Sequence, residues 1–326
     1  MKRKIIAIAM MALMLAGCGT AENGGKQATE RTDSATIKVG VLRTADSLPI
    51  YIGDETGLFE EYGANVELVE FSSASDQSKA MESGAIDGMM TDMVVQNLLA
   101  KGGTELRTVT TALGDDITEG KFLIISSPNS GVESIDDVEH KKIGISEGTM
   151  MEYLVDSYWN ELGLDINNVE KVNIPSLSLR FETLNADEID MAILPDPMGD
   201  LAVAGGCNEI INDTVLDTNY SITVIAFSKK FIDENESSVK NFIKGYNAAV
   251  DRINEHNDDD LELIYSVANV PEALQRTWQI PHYPKNSVPS EEEVESITEW
   301  MVNKKLLDEN VTYDKVVDSR FVSGEK

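Results

Sequence analysis

Basic residues are scarce in this chain: 27 Lys and Arg stand against 57 Asp and Glu, a formal net charge of −30. Binding DNA or RNA through phosphates needs clustered Lys and Arg, so a nucleic-acid partner is excluded, as is basic steering onto anionic lipid. Cysteine is rarer still. With only Cys18 and Cys207, no disulfide framework and no multi-cysteine zinc site is possible. The three histidines, His140, His256 and His282, lack metal-ligand spacing, and Cys207 has no basic neighbour in sequence. No Gly-x-Ser-x-Gly elbow, phosphate loop or dinucleotide fingerprint occurs. A binding role without metal or cofactor is expected rather than an enzyme. Past the first eighteen residues no apolar run approaches the length of a bilayer span, about 20 residues. What remains is 326 residues at 42% hydrophobic and 26% charged, ordinary for a globular chain and enough for two domains.

The opening stretch carries a specific signal. Lys2, Arg3 and Lys4 precede twelve apolar residues, Ile5 to Ala16, too few to span a bilayer as a helix. A basic flank, a short apolar stretch and small residues read as an export signal. Leu15-Ala16-Gly17-Cys18 resembles the bacterial lipobox, which implies cleavage after residue 17 and acylation of Cys18; an uncleaved anchor or plain signal peptide is the alternative. Residues 18–35 then form a polar tether rich in Gly, Thr, Asn, Gln and Ser. Loss of the leader takes three basic residues and leaves a body of charge −33.

From Thr36 short β-like runs alternate with helical stretches. Strands are expected near 37–42, 65–71, 86–90 and 106–112, with helices over 48–61, 72–84 and 92–100. A second cycle follows, with strands near 122–126, 142–146, 171–174 and 189–194 and helices over 149–162 and 177–185. A strand over 221–227 and a mostly helical stretch from 236 to 309 complete the chain. Strands separated by helices indicate a parallel-type α/β sheet. The cycles echo each other: Ile86-Asp87 and Ile189-Asp190 each enter a strand that ends near another aspartate, Asp92 or Asp196. Asp87 and Asp190 are read as turn ties, not ligand contacts. Ligands in open α/β sheets bind beyond the carboxyl ends of the strands, where helix N-termini point.

Several segments, in order, resemble the solute-binding lipoproteins of bacterial ABC importers, in the nitrate/taurine/sulfonate and thiamine-precursor group. They are Leu48-Pro49-Ile50-Tyr51-Ile52-Gly53 with Gly57-Leu58-Phe59 and Gly63; Gly84-Ala85-Ile86-Asp87-Gly88; Ser134-Ile135-Asp136-Asp137-Val138 with Lys141-Lys142-Ile143-Gly144; and Ile189-Asp190 with Leu194-Pro195-Asp196-Pro197. The resemblance implies a type II periplasmic-binding fold: two α/β lobes joined by a hinge and closing on a small solute. Lobe I is expected to comprise residues 36–113 and 229–326, and lobe II residues 114–228. It also implies an ABC permease and ATPase as partners, a monomer, and attachment to the extracytoplasmic face of the membrane through Cys18.

By strand order, the loops facing the cleft contain Arg43, Ser47, Pro49, Ser72, Ser73, Thr91, Asp92, Glu147, Thr149 and Asp196; Arg180, on a nearby helix, either reaches the cleft or stands as a solvated charge. Helix capping alone would account for Ser47, Asp92 and Thr149. Three carboxylates, Asp92, Glu147 and Asp196, face Arg43 and Arg180 in this count, and burying carboxylates beside an anion is costly. The balance favours a neutral or cationic heterocycle, such as a vitamin or pyrimidine precursor. The alternatives are a sulfonate, taurine or nitrate-type anion, or a surface sensor that keeps the fold. Six methionines, Met89, Met90, Met93, Met150, Met151 and Met198, sit near these loops, either as core filler or as soft contacts for a flat ligand.

Overall fold

The structure is a computed structural model and describes residues 35–255 and 260–322. The leader, Cys18 and most of the tether lie outside the described residues. The first cycle comprises β1 (Thr36–Val41), α1 (Leu48–Glu55), α2 (Leu58–Glu61), β2 (Asn65–Glu70), α3 (Ala74–Glu82), β3 (Gly88–Thr91), α4 (Met93–Lys101) and β4 (Leu106–Leu113). The second comprises β5 (Phe122–Ser126), β6 (Lys142–Ile145), α5 (Met150–Glu161), β7 (Glu170–Asn173), α6 (Leu177–Asn185), β8 (Met191–Pro195), α7 (Met198–Ala204) and β9 (Asn208–Asn212). The chain returns through β10 (Thr223–Ser228) to α8 (Lys229–Asn254), α9 (Leu261–Val267) and α10 (Glu291–Asn303).

Two five-stranded sheets result, ordered β2-β1-β3-β10-β4 and β7-β6-β8-β5-β9. In each, three parallel strands are followed by an antiparallel one, β10 against β3 and β5 against β8. The architecture is the mixed α/β, two-sheet arrangement expected. The boundary drawn at residue 228 needs correction: β10 falls inside the segment assigned to the second lobe, yet pairs with β3 and β4 of the first sheet. Its residues alternate between two apolar layers, Ile225 and Phe227 on the α1/α8 side and Ala226 with Met89 and Leu99 on the other. The second sheet alternates likewise, with Phe122 and Ile124 facing one layer and Leu123 and Ile125 the other.

Four other features depart from the expectation. The helix over 48–61 breaks at Gly57, whose φ of 73° is left-handed and costs glycine little. β3 starts at Gly88, where a Cβ would meet the Phe227 ring at 2.4 Å, so the antiparallel neighbour demands glycine there. β9 is an edge strand of composition Asn-Glu-Ile-Ile-Asn, too polar to signal itself in the sequence. The C-terminal third is less helical than expected: between α9 and α10 the chain is irregular, and it carries the buried Trp278 and Tyr283.

Candidate functional site

The two cycles repeat the same contacts at corresponding positions. Asp87 Oδ2 accepts the Lys38 N–H at 2.8 Å, and Asp190 Oδ2 accepts the Lys142 N–H at 2.8 Å, so both aspartates tie β1 or β6 to the following unit. Ser73 caps α3 by accepting the Asp76 N–H, and Ser176 caps α6 by accepting from Leu179. Four residues past each cap stand Gln77 and Arg180, both buried. Each passes a glycine. A Cβ on Gly40 would lie 3.1 Å from Gln77 Cγ, and one on Gly144 would lie 3.2 Å from Arg180 Cγ. Glycine at these strand positions lets a long polar side chain run across the sheet towards the carboxyl ends of the strands.

Both side chains line one cavity between the lobes, about 70 Å³ in volume. The first lobe contributes Thr44, Asp46, Gln77, Thr91 and Asp92, and the second contributes Ser146, Thr149 and Arg180. At about 15 Å³ per water, this holds on the order of five waters or a few heavy atoms of ligand. A wider pocket of about 530 Å³ shares Thr44, Leu177 and Pro195 with it and extends past Arg43, Met198 and Tyr265.

Arg180 is 1% exposed, and its Nε and Nη1 have no hydrogen-bond partner. Burial pulls its pKa down to about 10, with no carboxylate opposing. The Thr91 hydroxyl and Gln77 Oε1 are also buried without partners, while Gln77 Nε2 donates to the Met90 carbonyl at 3.0 Å. Asp92 Oδ1 caps α4 by accepting the Val95 N–H at 2.8 Å. Burial pushes the Asp92 carboxyl up to about 6, opposed by the backbone N–H groups of Val95, Met150 and Val94 and reinforced by Asp46. Asp46 accepts from the Thr44 hydroxyl, and burial raises its pKa as well. Thr149 caps α5, accepting from Met151 N at 3.2 Å and donating to the Ser146 carbonyl at 2.8 Å.

Of the eleven candidates, Thr91, Asp92, Thr149 and Arg180 thus come together at the cavity. The others do not reach it. Arg43 is exposed, ion-paired to Glu70 at 2.7 Å and stacked over Tyr51, and lines the outer pocket only. Ser47 and Pro49 are buried at the start of α1. Ser72 is exposed, and Ser73 is engaged as the α3 cap. Glu147 is exposed on the outer side of α3 and α4. Asp196 accepts the Trp278 indole N–H at 2.5 Å and lies 3.5 Å from Lys121 Nζ, at the wall of the outer pocket. Sequence reasoning missed Thr44, Asp46, Gln77 and Ser146. Gln77 alone had a usable signal, its equivalence to Arg180 after a serine cap. Of the methionines, Met90, Met150 and Met151 line the cavity, Met198 lines the outer pocket, and Met89 and Met93 pack in the core.

A model of the NMT1-like family matches residues 30–267. A Bacillus subtilis (strain 168) protein named for aliphatic-sulfonate binding is 23% identical over 99% of this chain and 96% of its own length. A Brachyspira hyodysenteriae protein named as an ABC transporter periplasmic binding protein is 24% identical over 74% of this chain and 70% of its own. The structure of the alkanesulfonate-binding protein SsuA from Xanthomonas axonopodis pv. citri, bound to MOPS, aligns with a TM-score of 0.73 at 14% identity, covering 88% of this chain and 99% of that one. The nitrate-binding protein NrtA from Synechocystis PCC 6803 aligns at 0.70 and 12%, covering 89% and 87%. With the family match spanning most of the body and the fold shared with periplasmic binding proteins, the chain belongs to the NMT1-like family.

Proposed function

We propose that this protein is the extracytoplasmic solute-binding component of an ABC importer, and that its solute carries an acidic group that docks on Arg180. The carrying observation is the Arg180 guanidinium, buried at the inter-lobe cavity without a counter-charge. A buried unpaired charge is strongly destabilising unless a partner arrives. The earlier charge balance is revised accordingly. Glu147 and Asp196 leave the cavity and Arg43 is consumed by Glu70; Asp92 stays and Asp46 joins it, both engaged by hydroxyl or backbone N–H donors, and Arg180 is the cation among the cavity's lining residues, without a hydrogen-bond partner at Nε and Nη1. This supports an acid-bearing solute over a neutral heterocycle. Lobe closure around the solute is a ligand-driven population shift, and the closed form is what a permease and its ATPase would recognise. The same reading keeps a monomer held to the membrane by acyl chains on Cys18, which Cys18→Ala should release into the soluble fraction.

Differential scanning fluorimetry against sulfonates, nitrate, thiamine precursors and riboflavin tests the solute class. Acid-bearing compounds should raise the midpoint in the wild type and not in Arg180→Met. A shift confined to uncharged compounds, or one retained in Arg180→Met, would overturn the acid assignment; no shift with any solute would overturn the importer reading.

A further inference from the structure

Trp278 and Asp196 join the two lobes outside the Arg180 cavity. The Trp278 ring is rooted in the first lobe: it is 4% exposed within the α1/α8 layer and lies edge-on to Tyr265 of α9, 6.3 Å between ring centres. Its backbone N–H is held by the Leu274 carbonyl at 2.8 Å. Further along the same irregular segment, His282 Nδ1 lies 3.0 Å from Glu119 Oε1 in the crossover between β4 and β5, and the Tyr283 hydroxyl donates to the Ala45 carbonyl at 2.6 Å. Asp196 is rooted in the second lobe. It follows β8 directly, and its backbone N–H donates to the Lys121 carbonyl at 3.0 Å, one step past the β5–β8 pairing. Between these two anchored groups the indole Nε1 donates to Asp196 Oδ2 at 2.5 Å. Asp196 is 5% exposed, its Oδ1 has no hydrogen-bond partner, and Lys121 Nζ, 3.5 Å away, is shared with Asp200 at 2.7 Å. The indole N–H is therefore a main support of a buried carboxylate, and it comes from the opposite lobe.

Resting on the importer reading, we propose that Trp278 and Asp196 form an inter-lobe latch that favours the closed cleft without touching the solute, which makes Trp278 a positioning residue for solute capture. Trp278 lines neither the Arg180 cavity nor the outer pocket, and Asp196 stands only at the wall of the outer one. Protein groups alone make the bond, so it is available with or without a solute. Opening the cleft carries Trp278 away with α9 and Asp196 with β8, and the bond must break. Each such bond biases the equilibrium between open and closed lobes. Apparent affinity scales with the fraction of molecules in the binding-competent form, so a change in that fraction multiplies the Kd of every solute by one factor. Arg180 selects the solute, and the latch sets how firmly any solute is kept.

Trp278→Phe tests the latch, since it removes the donor and keeps a ring against Tyr265. Small-angle X-ray scattering of the full chain with no solute added should give a larger radius of gyration than the wild type; an unchanged radius would overturn the latch. Calorimetry with those compounds of the solute panel that bind the wild type should show every Kd raised by one common factor of about ten, the scale of a hydrogen bond to a charged group. Unchanged affinities, or a loss confined to some compounds, would overturn it, the latter by marking direct contact with the solute. Asp196→Ala should repeat the common loss, and Trp278→Phe should add nothing further in that background. Additive losses would show two independent structural effects and overturn the pairing. Should no compound bind the wild type, the importer reading falls, while scattering still decides whether the indole holds the lobes together.

Discussion

At the scale of single residues, the most informative positions have no side chain. Gly40 and Gly144 leave the space through which Gln77 and Arg180 cross their sheets, and a Cβ at Gly144 would also stand 2.7 Å from Ile189 Cδ1. Gly144→Ala should therefore destabilise the fold by about 1–3 kcal/mol, the usual cost of overpacking. It should also weaken solute binding by displacing Arg180. Urea denaturation and calorimetry would separate the two effects, and full binding in a destabilised variant would show that Arg180 tolerates the shift. Legibility at this scale followed distance along the chain. Asp92 and Thr149 were visible because a cap and its helix are adjacent. Arg180 was visible as a residue, but its lack of a partner depends on strand and loop placements that only the tertiary fold sets. Asp46 was not singled out, since nothing local shows that its carboxylate is buried.

At the scale of elements, α10 departs furthest from its expected place. Assigned by position to the first lobe, it packs with Val294, Ile297 and Met301 into the layer that holds Tyr153 and Trp159 of α5, and it touches α4 as well. Its end is tied electrostatically. Lys304 Nζ lies 3.0 Å from Glu152 and 2.9 Å from Asp156 of α5, Lys171 pairs with the same two carboxylates, and the Trp300 indole donates to Asp156 at 3.0 Å. Glu152 and Asp156 are mostly shielded from water, so removing one cation leaves charge poorly compensated. Lys304→Met should lower stability by about 1–3 kcal/mol, by the scale of hydrogen bonds to charged groups, and leave solute affinity unchanged. Denaturation together with calorimetry would check both halves. The sequence showed α10 only as part of a mostly helical stretch and not its partner, because an apolar stripe such as Val294, Ile297 and Met301 suits either lobe. β9 escaped for the opposite reason: at a sheet edge, pairing with β5 suffices and hydrophobicity is not required.

At the scale of the whole molecule, acidity and burial act together. Burial raises the pKa values of Asp46, Asp92, Asp196 and Asp213, the last three to about 6, 7 and 6. A carboxyl whose pKa is higher folded than unfolded holds its proton more tightly in the folded state. Its stabilising contribution is complete below the unfolded value near 4 and is lost as pH rises through 6 to 7. The carboxyls shifted downwards, such as Glu152 and Asp318, act in the opposite sense, their contribution being lost as pH falls through their folded pKa. The thermal midpoint should therefore be higher at pH 5 than at pH 7.5 and fall again below about pH 4, with relief of the excess negative charge acting in the same direction above that point. Asp92→Asn should shrink the rise between pH 7.5 and pH 5. A midpoint flat or falling over that interval would show that these carboxyls are not shifted as burial requires.

The strand order has a consequence for how the molecule comes into being. All five strands of the second sheet lie consecutively between Phe122 and Asn212, so that sheet is complete as soon as its own segment is. In the first sheet, β10 sits between β3 and β4, and β4 bonds to no other strand of its sheet. A chain emerging from its N-terminus therefore holds β4 unpaired until residue 228 arrives. The sheet that begins the sequence is thus the last to close.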